Sequence, residues 1–283
     1  MILLLELAGI FFGIFIIFCY AVETPRPARS LARAAIVSAS AWITEESCIL
    51  LYRFYDYHSG WCLVLDQVPL LIVVVWPAII FSAMDLTSHL RAVHPLKGLF
   101  AGAAVVATDA LLIEPLSVSA GLWSWKLPGL FNVPPIGILG WFFFAFLCIT
   151  LLKNRRLQDR LSSFGLLLML PFMGTHLLLL LTWWGALRWI NFPLPTPAVI
   201  GVAWGVSLII SVTIHKKRTG RSIKKGTLLR RIPATLFFLA LLIFKAADPL
   251  PLAAYALAFA IPYVTLMVQQ YKGPPDTIQT GEI

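Results

Sequence analysis

Asp109 and Glu114 stand five residues apart in a stretch that otherwise reads as a membrane segment. They are followed by Trp123-Ser124-Trp125 and by Val133-Pro134-Pro135 leading to Gly140-Trp141. An acid near the middle of a membrane helix costs about 2.5–3.5 kcal/mol on insertion scales, so acids kept there pair, line a cavity or act in function. The tryptophans beside them add aromatic faces, which attract cations. Acids and indoles around an apolar slot suit chemistry that begins with a proton transfer and passes through a carbocation-like intermediate. The plain structural alternative is a pair of acids bonded for packing, with tryptophans as interfacial anchors.

Five residues turn a helix by about 140° and raise it about 7.5 Å, so Asp109 and Glu114 do not share one narrow face, although they can flank one cavity. Pro115 leaves the Leu111 carbonyl without its usual donor, a gap for water or a polar side chain to fill. Upstream, Glu45 and Glu46 precede the aromatic run Tyr52-Arg53-Phe54-Tyr55-Asp56-Tyr57-His58. Adjacent helix positions point about 100° apart, so only one of these glutamates faces a given cavity squarely. The other reaches a neighbouring helix or Arg53. His176, ahead of Trp183 and Trp184, reads either as a neutral imidazole bonded to a neighbouring helix or as a proton relay. His89 and His94 lie near Asp85, but no His-x-x-His or Glu-x-x-His pattern occurs and five histidines are few for a di-iron site, so no metal is expected.

The elements that must position these residues are membrane helices. Of 283 residues 59% are hydrophobic and 12% charged, far from a soluble domain. Apolar runs near 2–22, 32–52, 67–84, 98–120, 135–152, 163–187, 197–214, 232–247 and 251–270 predict nine spans, or eight if the last two form a re-entrant hairpin. The fold class is therefore an all-α polytopic transmembrane bundle, one integral-membrane domain over 1–271 with a flexible cytoplasmic tail over 272–283. With the amino terminus outside and the carboxyl terminus in the cytoplasm, 18 basic residues fall inside and 4 outside. That distribution accounts for the net charge of +9 without nucleic acid. The basic loop from Lys216 to Arg231 reads as a positive-inside signal. The four scattered cysteines read as buried small apolar residues. Gly9-x-x-x-Gly13, Gly98-x-x-x-Gly102 and Gly201-x-x-x-Gly205 allow close approach of helices.

The chain resembles the membrane carotenoid biosynthesis protein family that includes the bacterioruberin-pathway hydratase. The residues that carry the resemblance are Asp109 to Glu114-Pro115, Trp123-Ser124-Trp125 and Val133-Pro134 to Gly140-Trp141. Glu46, Tyr55, Tyr57 and the Val68-Pro69 to Trp76-Pro77 span support it. One departure stands out: the family pattern has Asn-Phe where this chain has Gly137-Ile138. The resemblance implies hydration of the terminal trisubstituted double bond of a linear carotenoid to a tertiary alcohol, without a redox cofactor. On that reading Asp109 is the acid, and Glu114 or Glu46 orients it or takes the proton from water. Trp123, Trp125 and Trp141 shield the cation, and Tyr55, Tyr57, Trp76 and His176 complete the substrate site. The expected partners are a linear carotenoid or other polyisoprenoid, membrane lipid and other enzymes of the same pathway. The expected location is a bacterial or archaeal cytoplasmic membrane. Carotenoid cyclisation starts with the same protonation and is the alternative enzyme reading. The non-enzyme reading is a proton-coupled transporter using Asp109, Glu114, Glu46 and His176.

Overall fold

A computed structural model describes residues 2–88, 95–154, 157, 162–216 and 225–271. His89, His94, residues 217–224 of the Lys216–Arg231 loop and the tail over 272–283 lie outside the described residues. The described chain is helical apart from short strands on one side of the bundle. The helices are α1 (Ile2–Val22), α2 (Pro27–Tyr52), α3 (Leu70–Ser88), α4 (Pro95–Ser119), α5 (Pro135–Lys153), α6 (Ser162–Gly185), α7 (Thr196–Lys216), α8 (Lys225–Leu229), α9 (Ile232–Phe244) and α10 (Pro249–Tyr271). Nine of these fall on the nine apolar runs. Seven described helices are long and apolar enough to cross a membrane, the last formed by α8 and α9 together, while α7 and α10 have shorter apolar stretches, Thr196–Val212 and Pro249–Thr265.

Local chemistry explains the helix ends nearest the site. Pro27 and Pro135 open α2 and α5, where the missing N–H costs nothing because the first helical N–H groups have no partner anyway. Arg53 ends α2 in the left-handed conformation and donates its N–H to the Ile49 carbonyl. Pro115 interrupts α4, and the hydroxyl of Tyr255 on α10 donates to the freed Leu111 carbonyl at 2.8 Å. The gap that Pro115 opens is thus filled by a side chain from another helix.

The core lies between α2, α3, α4, α5 and α6. Val37, Trp76, Ile80, Val106, Phe144 and Ile149 are buried there, and Ser40 on α2 donates to the Leu168 carbonyl on α6 at 2.8 Å. Gly9 and Gly13 set α1 against α3, since a Cβ at either would come within 3 Å of Leu71 or Val74. Gly201 and Gly205 face open space, so that glycine pair brings no neighbour close. Cys48 and Cys148 are buried as expected, whereas Cys19 is half-buried and Cys62 is exposed.

Two short strands roof one end of the core. β1 (Tyr55–Tyr57) follows α2, β4 (Trp123–Trp125) follows α4, and they pair antiparallel with Tyr55 opposite Trp125, Asp56 opposite Ser124 and Tyr57 opposite Trp123. Side chains alternate across a strand. The pattern therefore places Tyr55, Tyr57, Trp123 and Trp125 on one face, and Asp56 on the other, where it meets Lys126 at 3.0 Å. That ion pair is about half exposed and adds little stability. More comes from the roof's backbone bonds, His58 to Leu122 and Lys126 to Phe54, and from the Trp61 indole bond to Leu122. Between β1 and α3 the strands β2 (Val64–Leu65) and β3 (Val68–Pro69) form a hairpin. The buried Glu6 of α1 holds the adjoining loop by accepting from the Cys62 and Leu63 N–H groups at 2.9 and 3.0 Å.

Candidate active site

A cavity of about 70 Å³ lies beneath the β1–β4 roof. One water needs roughly 10–15 Å³, so the space has room for a small group or a few waters. Its lining includes Thr44, Glu45 and Cys48 from α2, Trp76 from α3 and Glu114 from α4. Tyr55, Tyr57, Trp123 and Trp125 come from the roof, Gly137, Gly140 and Trp141 from α5, and Thr175 and Leu179 from α6.

Glu114 accepts three indole hydrogen bonds. Trp123 Nε1 and Trp125 Nε1 donate to Oε2 at 2.8 and 2.9 Å, and Trp141 Nε1 donates to Oε1 at 2.8 Å. A buried N–H left without an acceptor costs about 1–3 kcal/mol. Three large aromatic groups, from β4 and α5, thus converge on one carboxyl because each needs an acceptor. Indoles only donate, so this ring of partners is complementary to the carboxylate form.

Glu45 is the second carboxyl in the cavity. Tyr55 and Tyr57 donate to its Oε2, the latter at 3.3 Å, and Trp76 Nε1 donates to Oε1 at 3.1 Å. Burial first, and then the Glu45 charge, push both phenols well above their ordinary range, so they stay protonated. A phenol can also accept. Glu45 can therefore carry a proton without losing its hydrogen-bonded company, which Glu114 cannot do as easily.

The remaining walls are aromatic carbon. The rings of Trp76 and Trp141 are 4.6 Å apart, Tyr55 and Trp125 4.7 Å, and Trp76 and Phe144 4.8 Å. The polar tips of Tyr55, Trp76, Trp125 and Trp141 are committed to the carboxyls, which leaves these side chains only ring carbon to offer the space.

Of the residues singled out in the sequence, Glu114, Trp123, Trp125, Trp141, Tyr55, Tyr57 and Trp76 come together here. Asp109, Glu46 and His176 are not among the residues that line the cavity. The Asp109 carboxylate is taken by Arg231, with Tyr263 at 3.4 Å. Glu46 accepts from the Gln67 N–H at 3.0 Å. His176 meets Ser47 Oγ at 2.7 Å and Tyr52 Oη at 2.8 Å, a ring bonded to the neighbouring helix. Glu45 lines the cavity in place of Glu46, the one of the pair to which the resemblance gave a role. The signal that could have found it is its register: Glu45 lies one turn from the buried Ala41 and one turn from the buried Ile49, whereas Glu46, itself buried, turns towards the β2–β3 hairpin.

Gly137 sits against this arrangement. A Cβ there would lie 2.6 Å from Cζ2 and 2.7 Å from Cη2 of Trp125, so the position is open only to glycine while Trp125 reaches Glu114. Gly137→Asn is expected to displace the Trp125 ring and remove one hydrogen bond to a charged group. Such bonds are worth about 1.5–3 kcal/mol, and product formed per folded protein should fall roughly 10- to 100-fold if the bond serves the reaction. Product yield normalised to purified protein measures this. Unchanged yield would mean that the site tolerates a moved Trp125.

Among the described residues no three His, Cys, Asp or Glu side chains come together as a metal ion would require.

The sequence model of the carotenoid biosynthesis protein family matches residues 6–208, most of the chain and all of the cavity. The chain belongs to that family. No curated protein and no solved structure matches it. Membership ties the chain to carotenoid biosynthesis. It leaves α8 to α10, including Arg231 and Tyr263, beyond the matched region.

Proposed function

We propose that the chain hydrates the terminal trisubstituted double bond of a linear carotenoid, giving a tertiary alcohol without a redox cofactor. The observation that carries this reading is a pair of carboxyls, Glu114 buried and Glu45 partly buried, each with three hydrogen-bond donors, around one cavity walled by aromatic rings. Burying a carboxyl costs several kcal/mol unless it is well bonded, and packing alone has no use for two of them facing the same space.

In the proposed reaction Glu45 donates its proton to the less substituted alkene carbon. The O–H bond breaks, a C–H bond forms, and a tertiary cation remains between the rings of Trp76, Trp125 and Trp141. Water adds to the cation and its surplus proton passes to the Glu114 carboxylate. Proton exchange between the two glutamates then restores the starting state, so the sum is alkene plus water giving alcohol. Asp109 is left out of the acid's role because its carboxylate is committed to Arg231 outside the cavity. Tyr55, Tyr57 and Trp76 hold Glu45, and Trp123, Trp125 and Trp141 hold Glu114.

The setting is a multi-pass protein of a bacterial or archaeal cytoplasmic membrane. Nine crossings put the amino terminus and the roof outside, and the basic loops and carboxyl terminus inside. Residues 1–271 then act as one domain, with other enzymes of the pathway delivering the hydrocarbon and consuming the alcohol. The transport reading has less support, since Asp109, Glu46 and His176 each have their own partners and do not join Glu114 in one path.

Expression in a bacterial host that accumulates lycopene tests the reading. The expected pigment is heavier than its precursor by one water at each end that reacts. A coloured isomer of unchanged mass would replace hydration by cyclisation, which shares the first step. Unchanged pigment from lycopene and from a longer linear carotenoid would overturn both.

A further inference from the structure

Thr175 is buried to 1% exposure, lines the cavity, and its Oγ1 has no hydrogen-bond partner. This is unusual within the molecule. The helical threonines Thr44, Thr87, Thr108, Thr150, Thr182, Thr235 and Thr265 each donate to the carbonyl four residues back. That back-bond is the ordinary way for a hydroxyl to satisfy itself inside an apolar helix. Of the described residues with a buried, unpartnered side-chain oxygen or nitrogen, Thr175 alone lines the cavity. An unmet buried hydroxyl costs about as much as a lost hydrogen bond, so its persistence calls for a partner of its own.

We infer that Thr175 is the polar end of a water-binding subsite, and that it holds the water that attacks the cation. This rests on the hydration reading above and adds to it the residue that decides the fate of the cation. Glu45 and Glu114 already have three donors each, so the cavity has few polar positions left for a water. Thr44 lines the same space from α2 but spends its proton on the Ser40 carbonyl. The Thr175 hydroxyl is the free one. It donates its unused proton to one lone pair of the water oxygen while the Glu114 carboxylate accepts a hydrogen of the water, which leaves the other lone pair for the cation. The C–O bond forms from that lone pair, and the surplus proton leaves to Glu114. Without the hydroxyl the water is not held, and the same cation instead returns a proton from a neighbouring carbon to a carboxylate, giving back an alkene of the original mass.

The test uses purified full-length protein in lycopene-loaded vesicles in heavy water, with Thr175→Val and Thr175→Ser compared with wild type. Two quantities are read: alcohol formed, and deuterium carried by the recovered hydrocarbon, which reports protonation without water capture. Thr175→Val should lower the ratio of alcohol to deuterated hydrocarbon ~10-fold or more while deuterium uptake persists, and Thr175→Ser should keep most of the wild-type ratio. Val matches Thr in shape, and if Oγ1 has no protein partner the Val variant unfolds in detergent no more easily than wild type. A wild-type ratio in Thr175→Val, or easier unfolding of that variant, would overturn the inference while leaving hydration in place. Wild-type protein that forms neither alcohol nor deuterated hydrocarbon would overturn both.

Discussion

Glu45→Gln should reduce alcohol formation by about 10²–10⁴-fold, the usual contribution of a positioned acid, while the protein stays as stable as wild type. The reason is geometric. The glutamine carbonyl still accepts from Trp76 or a tyrosine, and its NH₂ can donate to Tyr55 or Tyr57, because phenols accept as well as donate. Only the transferable proton is gone. Glu114→Gln is expected to lose activity to a similar degree and stability besides. Its NH₂ would face an indole N–H that can only donate, and each buried donor left unmet costs about 1–3 kcal/mol. Pigment mass in the lycopene host gives the activity, and unfolding by SDS titration in mixed micelles gives the stability. An active Glu45→Gln variant would remove Glu45 from the acid's role.

Arg231→Met should destabilise the protein by about 3–5 kcal/mol, because it strands the Asp109 carboxylate in a site where side chains of both residues are about one-sixth exposed or less. Asp109→Asn should also destabilise, by leaving Arg231 uncompensated. The double variant Asp109→Asn with Arg231→Met should recover much of the loss, since replacing a whole buried pair is often close to neutral. SDS unfolding of the four proteins measures the cycle, and product per folded protein is followed alongside. A double variant that folds and still makes alcohol is incompatible with Asp109 as proton donor. One that folds and makes none would return Asp109 to that role. Loss of product in Asp109→Asn alone does not discriminate between the two roles.

The helices were largely legible from the sequence. Each apolar run corresponds to a helix, because in lipid the backbone must satisfy itself within the segment. The carbonyl freed by Pro115 was legible too, although Tyr255 as its partner was not, being 144 residues away. Two things were hidden. Tyr55-Asp56-Tyr57 and Trp123-Ser124-Trp125 both have a period of two, yet each is only three residues long, too short to announce a strand. Their pairing spans two membrane helices. The choice between Glu45 and Glu46 turned on one step of helix register, and the partner of Asp109 lay in the basic segment, where Arg231 reads as one orientation signal among many. Local pattern fixes elements well; it says little about which of two neighbouring acids turns inward.

The stitched roof has a consequence for supply. β1 and β4 are paired, Trp61 is bonded across to Leu122, and Glu6 holds the loop before β2, so the segments over the cavity are tied to one another and to α1. On the hydration reading, a linear carotenoid would then enter through the gaps between helices, from the lipid. Turnover then follows the pigment's abundance within the leaflet and not its vanishing concentration in water, so crowding of pigment in the membrane would set the rate, and a product made more polar at its tip would drift towards the headgroups and clear the site.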